Sequence, residues 1–300
     1  MCYRPRVHGR MIVRIFSTTA TTAAGLLIGS VAVAQDIVWT LEGMQAPESA
    51  YFDEARSVLY VSNVNGEPTV KDGNGFISRV SPTGEMLEAQ WVGGFDAPKG
   101  LVSDGVTLYV SDIDRLVAID IASGKVSGTW QAEGAIFLND TAIDAGGRVY
   151  VSDMIAQKIH VLADGTLSVL AEGDALQHPN GLNMLEGKLL VAPWGVGLQQ
   201  DFTTTTGGHL ITVDLESGAV APLGSGAPVG NLDGLESDGK GNWIVSDWIA
   251  GAVYRLADDG SKELLLDLDM GSADLEYIPD QTLLIVPMML NNKLVAYRIE

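Results

Sequence analysis

Six polar residues recur at matching places along the chain: Glu48, Lys99, Asn139, Asn180, Asp233 and Asp274. Each lies 13–15 residues before the end of a β-rich phrase, in contexts such as Pro47-Glu48-Ser49, Pro98-Lys99-Gly100, Leu138-Asn139-Asp140, Pro179-Asn180-Gly181 and Leu232-Asp233-Gly234. The set holds carboxylates and amides but neither Cys nor His. Hard oxygen donors of this kind suit calcium or magnesium and disfavour a zinc site built on thiolate or imidazole. Glu48 and Asp233 together neutralise a divalent charge, and Asn139 and Asn180 add neutral ligands. Calcium accepts irregular arrays of about 6–8 oxygens more readily than magnesium and leaves room for water or substrate; magnesium or manganese is the alternative. A cation held this way polarises a carbonyl or phosphoryl oxygen for attack by water. Asp233 is the preferred base or nucleophile and Glu48 the alternative.

The phrases that fix this phase are Leu59-Tyr60-Val61-Ser62-Asn63, Leu108-Tyr109-Val110-Ser111-Asp112, Val149-Tyr150-Val151-Ser152-Asp153 and Trp243-Ile244-Val245-Ser246-Asp247, with weaker copies ending at Pro193 and Pro287. Their ends are spaced by 49, 41, 40, 54 and 40 residues, the period of propeller blades. After each of the first five copies comes an alternating strand pair with a glycine turn, such as Ala122-Ser123-Gly124 or Glu216-Ser217-Gly218, the signal of a hairpin. The sixth copy ends one strand short at Lys293–Ile299, and Ile37–Leu41 can supply the missing edge. The expected fold is all-β: a six-bladed β-propeller over residues 35–300, its ring closed by the N-terminal strand. Each polar residue then opens the innermost strand of its blade and converges on one axis. Glycines at 100, 181 and 234 permit close backbone approach there.

The 300 residues carry 18 Lys+Arg against 38 Asp+Glu, a formal charge of −20. That balance excludes a nucleic-acid partner, which demands a basic patch. Arg4, Arg6, Arg10 and Arg14 precede an apolar stretch and then Ala32-Val33-Ala34, the pattern of a secretory signal peptide over residues 1–34. Cleavage leaves an exported, periplasmic or secreted chain with no membrane contact, and removes Cys2, the one cysteine. The partner expected is a small-molecule substrate.

Glu48 in Pro-Glu-Ser, Asn139-Asp140, Asn180-Gly181-Leu182 and Asp233-Gly234 resemble the four signature positions of the SMP-30/gluconolactonase/luciferin-regenerating-enzyme family. The likeness spans essentially the whole mature chain, with one residue in each of blades one, three, four and five. It implies a calcium-dependent hydrolase, often a lactonase. By match, Glu48, Asn180 and Asp233 are the core metal ligands, and Asn139 is a further ligand or substrate contact. There are departures. Sugar-lactone hydrolases of the family carry an arginine two residues before the first Asn, where this chain has Phe137. Lys99 adds a cation that can pair with Asp274 or with substrate. The long stretch from Trp194 to His209, with threonines at 203–206, has no counterpart.

His178, two residues before Asn180, can shuttle protons or contact substrate, and Trp194, Trp248, Met288 and Met289 can wall a pocket. The competing class is a non-catalytic propeller, a binding or scaffold protein with a structural ion on its axis.

Overall fold

The computed structural model describes residues 36–300; the leader expected at 1–34 lies outside them. Six four-stranded antiparallel sheets follow one another along the chain as the blades of a β-propeller. Their innermost strands are Pro47–Asp53, Pro98–Ser103, Leu138–Ile143, Pro179–Leu185, Leu232–Ser237 and Glu276–Ile278. The repeated phrase forms the second strand of each blade, from Val58–Asn63 through Leu283–Met288, and is almost wholly buried. Outer strands such as Lys125–Gln131 are mostly exposed. Burial therefore falls from axis to rim, as the shift from continuous apolar runs to alternation demands. Among the described residues the helices are three short 3-10 turns, and no helix is long and apolar enough to cross a membrane.

Asp36–Glu42 is the outer strand of the last blade. It pairs antiparallel with Lys293–Arg298, from Asp36 opposite Arg298 to Glu42 opposite Lys293. Ring closure thus follows the sequence expectation and covers an edge otherwise open to another chain. Between neighbouring blades lie apolar clusters. Tyr60, Ile77 and Phe95 of blade one meet Leu108 and Ile119 of blade two, and Leu59 and Val61 meet Ile285 and Leu294 across the closure.

Five inner strands share an irregularity at their start. Register with the second strand slips between Pro47 and Ala50, Pro98 and Leu101, Leu138 and Thr141, Pro179 and Gly181, and Leu232 and Leu235. Bulges bend a strand and re-aim its side chains, and Glu48, Lys99, Asn139, Asn180 and Asp233 all sit in these slips. The Ser of the repeated phrase serves the backbone that the bulge leaves unpaired. Ser62 Oγ accepts from Ser49 N at 2.9 Å, Ser152 Oγ from Asp140 N at 2.9 Å and Ser246 Oγ from Gly234 N at 2.8 Å. The Asp that follows it pins the loop entering the inner strand: Asp112 accepts from Asp96 N and Ala97 N, and Asp153 from Ile136 N and Phe137 N. A Cβ on Gly181 would lie 2.0 Å from Asp233 O, and one on Gly234 2.4 Å from Leu275 N, so neighbouring inner strands approach too closely there for any side chain.

Candidate metal centre

The five bulges open onto one cavity of about 170 Å³ at the mouth of the axial channel. Glu48, Lys99, Asn139, Asn180 and Asp233 line its floor, one from each of blades one to five. Phe137, Met154, Trp194, Phe202, Trp248 and Met289 form the wall. Every member of the expected oxygen set is present and buried, with Glu48 and Asp233 4% exposed and Asn180 0%.

Three acceptor atoms on that floor have no hydrogen-bond partner: Glu48 Oε2, Asn180 Oδ1 and Asp233 Oδ1. Buried polar atoms are nearly always paired, and an exception calls for an explanation such as a bound ion. These three come from blades one, four and five and face a common cavity. The Asn180 amide is oriented by its own Nδ2, which donates to Leu232 O at 3.3 Å, leaving the oxygen for the cavity. Burial pushes the Glu48 carboxyl well up, and the charges of Asp233 and Asp274 push it further while Lys99 opposes them. Burial likewise raises Asp233, reinforced by Asp274 and offset by the Asn180 hydrogen bond. A divalent cation reverses this logic by stabilising the ionised forms. Among the described residues no three His, Cys, Asp or Glu side chains gather as a metal cluster. A site here needs the amide oxygens alongside its two carboxylates, and such a donor set fits calcium.

The remaining expectations divide. Lys99 lines the cavity but does not pair with Asp274. Its Nζ donates to Ala97 O at 2.9 Å and Pro68 O at 3.2 Å and lies 4.4 Å from the centroid of Phe137. Burial draws its pKa down to about 8, against the pull of Glu48 and Asp112. Asp274 is corrected as a contact of this cavity. It bridges in parallel to Ser49, the residue after Glu48, so it sits one step out of phase and lines a separate cavity farther down the channel. There its Oδ2 accepts from Ser49 Oγ at 2.6 Å. His178 is corrected in the same sense: it does not line the cavity. Its Nδ1 lies 2.9 Å from Met154 O and its carbonyl accepts from Trp194 N, so it braces the two loops that carry wall residues.

Sequence reasoning did not find Phe202, Met154, Asp201 and Pro68 in the lining. The signal available for two of them was the long fourth blade. Its extra chain forms a small hairpin, Gly195–Val196 with Thr206–Gly207, which swings Asp201 and Phe202 over the mouth. Trp194 Nε1 donates to Phe202 O at 2.7 Å, and Asn231 Nδ2 ties the hairpin down through Trp194 O and Thr204 Oγ1. Met289 lines the mouth as expected, whereas Met288 is buried in the core between blades five and six.

No family model and no curated protein matches the sequence. Solved structures do match. A candidate gluconolactonase superposes with a TM-score of 0.62 at 19% identity, covering 88% of this chain and 94% of its own. A streptogramin B lyase gives 0.59 at 9% identity over 87% and 98%. An inactive virginiamycin B lyase from Staphylococcus aureus with quinupristin gives 0.56 at 11% identity over 87% and 99%. The fold is shared. At these identities nothing finer than the fold is carried across.

Proposed function

We propose that the chain is a divalent-metal-dependent hydrolase of lactones or esters, similar to the SMP-30/gluconolactonase family, with calcium as the fitting cation. The observation that carries this reading is the trio of unpartnered buried oxygens, on Glu48, Asn180 and Asp233, facing one cavity. Asn139 completes the floor. When bound, the cation would polarise the substrate carbonyl and stabilise the oxyanion that develops on it.

The chain supplies the rest. No histidine lines the cavity, and Lys99 Nζ is committed as a donor to Ala97 O and Pro68 O, so the proton from water goes to a carboxylate, of which Asp233 is the best placed. Burial and the nearby Asp274 charge raise its pKa in the metal-free chain; a bound cation would keep it ionised and so able to accept a proton. Glu48 is the second candidate. The aromatic wall gives the cavity a low-polarity surround, in which each of these electrostatic interactions is stronger. The same wall sets the substrate class. Phe137 stands where a polyol-binding arginine would stand, and Trp194, Phe202 and Trp248 surround it, a surface that favours an apolar acyl or aryl group over a sugar.

The test is a hydrolysis screen of alkyl lactones, aryl esters and sugar lactones on the purified chain. The expected outcome is turnover of the apolar substrates that chelator abolishes and added calcium restores. Undiminished turnover by the metal-stripped chain would sink the reading; calcium-dependent stabilisation with no turnover at all would favour a scaffold role.

A further inference from the structure

The five inner strands that open at the upper cavity run on to a second one of about 230 Å³ at the other end of the channel, where Glu276 of the sixth joins them. Four carboxylates line this lower mouth: Asp140, Glu236, Asp274 and Glu276. No Lys, Arg or His lines it, and none of the four enters an ion pair among the described residues. Neutral donors hold them in place. Asp140 accepts from Thr141 N and Leu182 N at 2.6 Å each, Glu276 from Phe52 N at 2.7 Å, and Glu236 from Asn183 Nδ2 at 3.5 Å.

A second observation points to a ligand. Thr141 is 5% exposed and lines the lower mouth, yet its hydroxyl has no hydrogen-bond partner. A buried hydroxyl without a partner is destabilising, so this one is placed for something that binds.

The shape of the charge narrows the class. Among the described residues no three of these carboxylates gather closely enough to hold a single metal ion. They are spread around the channel instead: Asp140 comes from blade three, Glu236 from blade five, and Asp274 and Glu276 from blade six. Apolar side chains of Leu101, Val102, Ile143 and Met184 lie among them. Spread anionic charge with apolar surface between matches a cation whose charge is also spread along a hydrocarbon chain.

We infer that the lower mouth binds a linear aliphatic diamine, its two ammonium groups held by carboxylates of different blades, with Thr141 Oγ1 accepting from one of them. An ammonium offers three donors and no acceptor, which suits carboxylates and a hydroxyl that still have acceptor capacity. The inference stands apart from the hydrolase reading, because it uses none of the upper-cavity residues.

Titration calorimetry of the full chain with 1,4-diaminobutane, in metal-free buffer of low ionic strength, tests it. One equivalent should bind and raise the melting temperature. Affinity should drop by about tenfold or more in Glu236→Gln/Glu276→Gln and severalfold in Thr141→Val, but persist in Glu48→Gln at the upper mouth. The near-isosteric Thr141→Val keeps the test decisive if the double variant does not fold. Absence of binding overturns the inference, as does binding that these lower-mouth changes leave untouched. It is equally overturned if calcium, added to an Asp233→Asn chain, binds one equivalent that Glu236→Gln/Glu276→Gln removes, since the mouth then takes an inorganic ion.

Discussion

Asp233 carries the heaviest demands of any residue in the chain. It offers an unpartnered oxygen to the cavity, it is buried beside another carboxylate, and it is the preferred base of the proposed reaction. Asp233→Asn keeps the shape and removes both the charge and the proton acceptor. Turnover of an apolar lactone should fall by about 10²–10⁴-fold, with weaker calcium binding, while the circular dichroism spectrum stays unchanged. A variant that retains full activity refutes the assignment and moves the role to Glu48. The identities on this floor were legible in the sequence, because oxygen donors at one phase of a repeat stand out against ordinary turn residues. Asp274 was not legible. Its spacing matches the others, but the parallel bridge to Ser49 turns it to the other mouth, and a one-residue slip in a strand reverses the side it faces.

The inner and second strands of a blade act as one positioning unit. Blade five shows it most clearly: Ser246 Oγ accepts from Gly234 N at 2.8 Å and donates to Ala273 O at 2.9 Å, linking the Asp233 bulge to blade six. Ser246→Ala leaves a buried donor and a buried acceptor unsatisfied. The expected loss is about 1–3 kcal/mol of stability, read as a lower melting temperature. A fall in kcat with little change in KM should accompany it, because the Asp233 backbone loses its anchor. The closing strand supports a different prediction. Removing residues 36–42 exposes the edge of Lys293–Arg298, and Trp39 Nε1 no longer donates to Pro82 O at 3.0 Å. The shortened chain should melt earlier and scatter light on standing, whereas the intact chain stays clear. Blade number and closure could be read from the repeat because the Ser-Asp or Ser-Asn endings have structural duties in every strong copy. The fourth-blade hairpin could not, since its fold depends on tertiary ties such as Asn231 to Thr204 that no local pattern announces.

At the scale of the whole molecule, the acidic residues, all of them within the described residues 36–300, are divided between a solvated rim and a buried axial column. The rim acids make ordinary turns: Asp120 caps Ser123, and Asp214 caps Ser217. The column is different, with Glu48, Asp140, Asp233, Glu236, Asp274 and Glu276 against the single cation of Lys99. Burial, opposed by the Phe52 hydrogen bond and aided by Asp274, lifts the Glu276 pKa from 4.5 to about 8. A raised carboxyl stays protonated in the folded chain where the unfolded chain is already ionised. Its contribution is therefore fully present below about pH 4.5 and is lost as pH rises towards 8. Glu236 shifts in the same direction, through burial and then Glu276. Without bound cations, the melting temperature should thus fall between about pH 5 and 8, and Glu276→Gln should flatten that fall. An unchanged slope in Glu276→Gln would remove Glu276 from the account.

An array of blades joined end to end would resemble a linear repeat protein, whose first and last units require dedicated polar caps. Pairing Asp36 with Arg298 abolishes both termini of the array: every blade has two neighbours, and blade six caps blade one while being capped by it. The joint also links residues almost the full described chain apart, so its loop-closure entropy is the largest of any contact in the fold. It should form last and open first, a latch through which the ring is both completed and undone.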